Sequence, residues 1–248
     1  MNNLALGYQA AGKPDLAVPL LQETLGLVKA KLGPDDRRTI STMNNLALAY
    51  QADGKLNLAL PLYVETLERA KIRFPPDDPQ TLQSMNNLAW GYLADGKLNL
   101  ALPLFEETLK RVKARLGPNH LVTLKTTSSL CLGYIQAGQS TKAEPLLRES
   151  LAIREEKRPD AWTTFDTKSK LGAALLGQKK HGEAEPLLLA GYKGMKDREA
   201  KIPPPDKIRL IEALERLVQL YKATGNKDKA EEWQKKLIDA KAAKQRAK

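Results

Sequence analysis

The chain has 248 residues, 42% apolar and only 5% aromatic, with a formal net charge of +11. No apolar run reaches the roughly 18 residues that a membrane-spanning helix needs, and the single cysteine, Cys131, excludes an internal disulfide framework and fits a reducing compartment. With no charged-then-apolar export signal at the start, the expected location is cytoplasmic. The charge excess sits in residues 168–248, where 20 Lys/Arg face 11 Asp/Glu. That leaves two readings open: attraction for nucleic acid, acidic protein or anionic lipid, and a solvated lysine-rich face.

The run Met-Asn-Asn-Leu-Ala begins at Met1, Met43 and Met85, a spacing of 42 residues. Self-similarity at a fixed period of this length marks a stack of small units, none of which buries its apolar face alone. In copy one, Met1 aligns with residues that lie inside a helix, so its first helix lacks an opening turn; the chain is expected to be a fragment or internal-start product of a longer array. In copy two, Ile40, Met43, Leu46, Ala47 and Tyr50 form one helical stripe. Asp53-Gly54 breaks it, glycine supplying the left-handed turn that ends helices. A second stripe follows through Leu56, Ala59, Leu60, Leu62, Tyr63, Leu67 and Ala70. It stops at Phe74-Pro75-Pro76-Asp77-Asp78-Pro79, which no helix continues through.

Copy three repeats this pattern from Met85. Copy four keeps it as Leu130-Cys131-x-x-Tyr134, Gly138 and Ala143, copy five as Leu171-Gly172 and Ala184, and copy six as Leu217, Tyr221, Gly225 and Ala230. Nothing alternates with period two, so no strand is expected. The fold class is all-α: a right-handed α-solenoid, or superhelix, of about six antiparallel helix pairs. The expected organisation is 1–202 for repeats one to five, 203–240 for a divergent, charged capping repeat introduced by Pro203-Pro204-Pro205, and 241–248 for a basic frayed tail.

Small residues recur where paired helices should touch. Ala5, Ala47, Ala89 and Cys131 follow the key leucine, and Ala17, Ala59, Ala101, Ala143 and Ala184 sit early in each second helix. Cys131 reads as a buried filler. Pro19, Pro61, Pro103, Pro145 and Pro186 also recur. They are expected near the first turn of the second helix, where backbone N–H groups lack intrahelical partners anyway.

Leu46-Ala47-x-x-Tyr50 followed by Ala59-x-x-x-Tyr63 resembles the tetratricopeptide pattern, with Met43 where that pattern has its Trp. Leu32-Gly33, Thr39, Asn45-Leu46-Ala47, Tyr50, Gly54-Lys55 and the 42-residue period resemble the kinesin-light-chain type, and the likeness covers essentially the whole chain. The stretch from Gly191-Tyr192-Lys193-Gly194 to Ile202-Pro203-Pro204, then Glu212 to Val218, is similar to the C-terminal repeat regions of bacterial, planctomycete-like serine/threonine protein kinases. No kinase motif is present in the chain.

The tetratricopeptide resemblance implies that the first helices line a concave groove for a peptide or partner segment. The residue before each key leucine would project into it: Asn3, Asn45, Asn87, Ser129, Lys170 and Arg216. One residue earlier stand Asn2, Asn44, Asn86, Ser128, Ser169 and Glu215. Amides offer donors and acceptors to an extended peptide. The alternative is that they join neighbouring repeats. Some co-chaperone members clamp a carboxylate with two Asn and a Lys/Arg set. Asn45, Asn87 and Lys125 match that clamp, while Ser41 and Ser129 depart from it. Leu48, Trp90 and Leu132 also point toward the groove by helical spacing. Trp90 either anchors a partner's apolar side chain or packs against the next unit.

His120 and His181 have no metal-ligand spacing around them, and no phosphate loop or nucleophile motif occurs. The expectation is therefore no enzyme activity, no cofactor and no metal. The reading is an interaction scaffold. Its rivals are a structural or self-assembling repeat element that associates end to end through the first repeat, and nucleic-acid binding by the basic third, against which the scarcity of aromatic stacking platforms counts.

Overall fold

In the computed structural model, which describes residues 1–246, twelve α-helices follow one another and no strand occurs among the described residues. They run as α1 (Asn2–Ala10), α2 (Pro14–Leu32), α3 (Arg37–Ala52), α4 (Leu56–Arg73), α5 (Pro79–Ala94) and α6 (Leu98–Leu116). Then come α7 (Leu121–Gln136), α8 (Ser140–Lys157), α9 (Trp162–Gly177), α10 (His181–Lys196), α11 (Ile208–Ala223) and α12 (Lys227–Arg246). The fold is an all-α stack of helix hairpins of the solenoid type. It forms two compact units, Met1–Gly133 and Tyr134–Lys248, whose boundary falls inside α7. Residues 203–240, read from sequence as a divergent capping repeat, fall within the second unit.

The repeat fixes its own helix ends. Asp36 and Asp78 cap α3 and α5, each carboxylate accepting from the backbone N–H two residues on at 2.8 Å. In copy four His120 takes that place, its Nδ1 accepting from the Val122 N–H at 3.2 Å. The hydroxyls of Thr39, Thr81, Thr123 and Thr164 donate to carbonyls six residues earlier at 2.7–3.0 Å, tying each loop to the helix it feeds. Inside the hairpin turn, Gly54 has φ +77°, and Lys55 N–H reaches back to the Tyr50 carbonyl at 2.8 Å. Copy five puts Lys179 into the same left-handed region at φ +61°.

The small residues sit where the period places them: all nine, Cys131 included, are fully enclosed. In copy five Gly172 takes the place after the key leucine, and there α9 and α10 approach more closely still. A Cβ added at Gly191 would lie 2.7 Å from Ser169 N and 2.8 Å from the Phe165 carbonyl oxygen. The helix prolines need correction. Each is the sixth residue of its helix, one turn deeper than expected, so each removes a ladder hydrogen bond. All five rings are exposed, and so are the residues four positions earlier, whose carbonyls water can serve.

In the second unit, α11 and α12 close around Ile211, Leu214, Val218 and Leu237, with Trp233 edge-on to Tyr192 at 5.3 Å. Helix α12 continues past Lys241, which pairs with Glu215 at 2.7 Å, to Arg246. The last two residues of the tail expected to fray lie outside the described residues.

Candidate functional site

In the first unit α1, α3 and α5, the leading helices of three copies, lie side by side, and their amides meet across the seams. Asn45 Nδ2 donates to Asn2 Oδ1 at 3.3 Å, and Gln9 Nε2 donates to the Asn45 carbonyl at 2.9 Å. One seam on, Asn87 Nδ2 donates to Asn44 Oδ1 at 3.3 Å and Asn44 Nδ2 to Ser84 Oγ at 2.8 Å; Ser84 passes its own proton to the Gln80 carbonyl at 2.9 Å. Ser41 adds a 3.1 Å bond to Gln80 Oε1. The spacing that repeats the amides thus also lets them bridge neighbouring repeats.

Burial divides the expected site residues. Asn3 and Lys125 are exposed; Asn45, Asn86 and Trp90 are half-buried. Asn44 is 1% exposed, and Asn87, Ser129 and Lys170 are also enclosed, so the expectation that these four face an open groove is corrected: they lie within the wall. Ser129 Oγ donates to the Lys125 carbonyl at 3.1 Å. The Asn86 Oδ1 atom is enclosed without a partner. Trp90 meets Phe105 edge-on at 5.9 Å. Of the neighbouring apolar candidates, Leu48 is half-buried and Leu132 enclosed.

The corresponding seam of the second unit carries charge. Lys170 Nζ donates to Asp166 Oδ2 at 2.5 Å, and Arg216 bonds Ser169 Oγ at 3.0 Å and Glu212 at 3.2 Å. Arg209 also holds Glu212, at 2.7 Å. Burial alone would raise the Asp166 pKa; the Lys170 ammonium and the guanidiniums of Arg209 and Arg216 outweigh it and hold the carboxyl below its ordinary range. Burial pulls Lys170 below its usual value, against the attraction of Asp166. From α8, Arg154 adds a further enclosed guanidinium, its pKa lowered by burial and supported by the Asp166 charge. Enclosed charges of this kind typically cost several kcal/mol each unless paired, about 3–5 kcal/mol when one partner is removed.

Sequence reasoning passed over Arg154 and Asp166. The signal for Arg154 was the repeat itself, which aligns it with Ala70 and Val112. Among the described residues no group of three His, Cys, Asp or Glu side chains comes together to hold a metal ion, and no helix is long and apolar enough to cross a membrane.

The comparisons fit this geometry. The family model described as tetratricopeptide repeat matches residues 1–72 and 84–156, more than half of the chain. No curated protein matches it in sequence. Among solved structures, a candidate kinesin light chain of Podosopora anserina with nearly identical TPR-like repeats is 25% identical with a TM-score of 0.68, over 79% of this chain and 94% of that one. BtubC (BKLC) from P. vanneervenii is 19% identical, also at 0.68, over 93% and 91%. YrrB, a TPR protein with an unusual peptide-binding site, is 16% identical with a TM-score of 0.50, over 87% and 91%. Period, enclosed small residues, side-by-side leading helices and family match agree, and the chain belongs to the tetratricopeptide-repeat family.

Proposed function

We propose that the chain is a protein-interaction scaffold that holds a peptide or partner segment along its leading helices, with Asn3, Asn45, Asn86, Trp90 and Lys125 in contact with it. The observation that supports this most directly is the pre-ordered amide wall of the first unit. An Asn amide has two donor protons and an acceptor oxygen with two lone pairs. The 3.3 Å bond from Asn45 to Asn2 uses one proton and fixes the amide's direction, leaving the rest to an extended backbone. Amides already oriented lose little freedom on binding. Asn44, Asn87 and Ser129 then act as supports beneath the contact surface, and Lys170 has the same part in the second unit. If the kinase-tail likeness reflects the parent protein, the scaffold recruits substrates to a kinase.

The test is a peptide-array screen with the full chain, followed by solution binding read through Trp90 fluorescence in a Trp162→Phe/Trp233→Phe background. Asn45→Ala, read in solution, and Trp90→Phe, read on the peptide array, should each weaken capture about tenfold while leaving the helical signal and melting midpoint near wild type. Unchanged capture by both variants would remove this reading.

A second reading is favoured by one contrast: the key leucine of copy one, Leu4, is 55% exposed, whereas Leu46 and Leu88 are 4% and 5% exposed. With Met1 and Leu6 also exposed, that face supports end-to-end self-association. Light scattering over a concentration series decides it, since a scaffold working as a monomer keeps a constant mass.

A further inference from the structure

Arg154 occupies a core position. Its counterparts one and two copies earlier, Val112 and Ala70, are enclosed, and Met195 takes the place one copy later, also enclosed. Arg154 is itself only 3% exposed. Among the described residues its guanidinium makes no hydrogen bond and no ion pair, and its Nε is fully enclosed without a partner; the two Nη groups are not so enclosed. One turn earlier on α8 the Ser150 hydroxyl is enclosed and unpartnered as well. Its counterparts Thr24, Thr66 and Thr108 each donate to the carbonyl four residues before at 2.5–2.6 Å, so Ser150 is the member of that row left with its hydroxyl unused.

Arg154, Lys170, Arg209 and Arg216 all act on Asp166, and Glu212 and Asp206 act on Arg209 as well. Asp166 would repel an incoming anion; its Oδ2 is held by Lys170, while its Oδ1 is enclosed without a hydrogen-bond partner. Arg158 lies close enough to weaken the Arg154 charge further. A guanidinium retained where sister copies keep aliphatic side chains, with donors unused, breaks the rule of its own repeat. Such departures mark functional positions.

We propose that the Arg154 guanidinium anchors an oxyanion site in the second unit that takes one carboxylate or phosphate group carried by a bound acidic segment. The segment rests on the scaffold reading above; the oxyanion site does not. A guanidinium edge matches either group with two parallel N–H donors.

The first arm of the test uses inorganic phosphate and the full chain. Thermal midpoints are measured in phosphate and in chloride at equal ionic strength, for wild type and for Arg154→Met, the residue that fills this position in copy five. Phosphate strengthens burial in any protein, so the quantity read is the wild-type shift minus the variant shift. A difference of about 2 °C or more is expected, with the variant at least as stable as wild type in chloride. Equal shifts overturn the site. Arg148→Gln, on the same helix but exposed, should keep the wild-type difference.

The second arm uses labelled Ser-Gly decapeptides carrying three Gln, three Glu or three phosphoserines. Wild type should prefer Glu or phosphoserine over Gln by at least about tenfold, and Arg154→Met should lose that preference. The ranking of Glu against phosphoserine identifies the source of the oxyanion. If the Gln peptide binds equally well, the site is refuted and the scaffold stands. If no peptide binds while the phosphate difference persists, the scaffold reading and the acidic segment fall and the anion site remains.

Discussion

In the first unit, apart from the Arg37–Asp78 pair at the helix starts, where Arg37 is exposed, the side chains joining neighbouring leading helices are neutral: Asn2 to Asn45, Asn44 to Asn87 and Ser84, Ser41 to Gln80. In the second, the positions equivalent to Ser41 and Asn45 hold Asp166 and Lys170, and one copy on they hold Glu212 and Arg216. One backbone seam is thus closed by two kinds of chemistry. A neutral amide bond contributes about 1 kcal/mol net and has little effect at long range. A buried ion pair is costly to make, costly to break, and sets a field around it. The first unit is suited to gripping backbone without regard to charge, the second to discriminating by charge.

The largest expected effect breaks the charged seam. Asp166→Ala leaves Lys170 enclosed among Arg154, Arg209 and Arg216 and should cost about 3–5 kcal/mol. Denaturant unfolding followed through Trp162 and Trp233, both in the second unit, should show it, while Trp90 in the first unit reports little change. The double variant Asp166→Leu/Lys170→Met should recover much of the loss. A single-variant loss below about 1 kcal/mol would mean the charges are not dry. The neutral seam should break more gently. Asn44→Ala strands Ser84 and Asn87 and should cost about 1–3 kcal/mol, read through Trp90. If it cost as much as Asp166→Ala, the contrast between the units would be lost.

A smaller effect has the opposite sign. Lys179 carries a side chain in the left-handed region where the other copies use glycine, and Lys179→Gly should stabilise the second unit by about 1 kcal/mol. Its Cα geometry already suits glycine, so no repacking is needed. An unchanged denaturation midpoint would show that the strain is relieved elsewhere.

The fold was legible because it depends on repetition: enclosed alanines, turn glycines and capping aspartates each recur at the same offset, and each has a local physical cause. The site was legible only in part. The amides of Asn45 and Asn87 were visible as a ladder, but whether a ladder faces a ligand or a neighbour depends on register between residues about 40 apart, which no local pattern reveals. Asp166 and Lys170 are four residues apart and could be read as an ordinary exposed helix pair; only the packing of α8 and α11 encloses them. Arg154 was legible in principle. It lies on a second helix, and attention to the leading helices passed it by. The prolines were placed one turn too early because an exposed mid-helix ring is tolerated when water serves the freed carbonyl.

Acid sharpens the comparison least in energy but by a distinct route. In the first unit Asp78 is held below the usual carboxylate range, chiefly by its hydrogen bond to Arg37. In the second, Glu144, Asp166 and Glu185 all are. Glu144 is lowered from 4.5 to about 2, first by Lys180, then by Gln178 and Arg148. A carboxyl whose folded pKa lies below its unfolded value contributes stability that is complete above the unfolded value and fades as pH falls through the folded one. For Glu144 that window runs from 4.5 down to about 2. Its partners reach solvent, so the contribution is discounted to about 0.2–1 kcal/mol and should shrink with salt. Glu144→Gln should therefore flatten the acid limb of stability in the second unit at low salt and leave that of the first unit unmoved. Hydrogen exchange resolved by segment would register the difference. If acid loosened both units equally in wild type, the charges of the second seam would not be what distinguishes it.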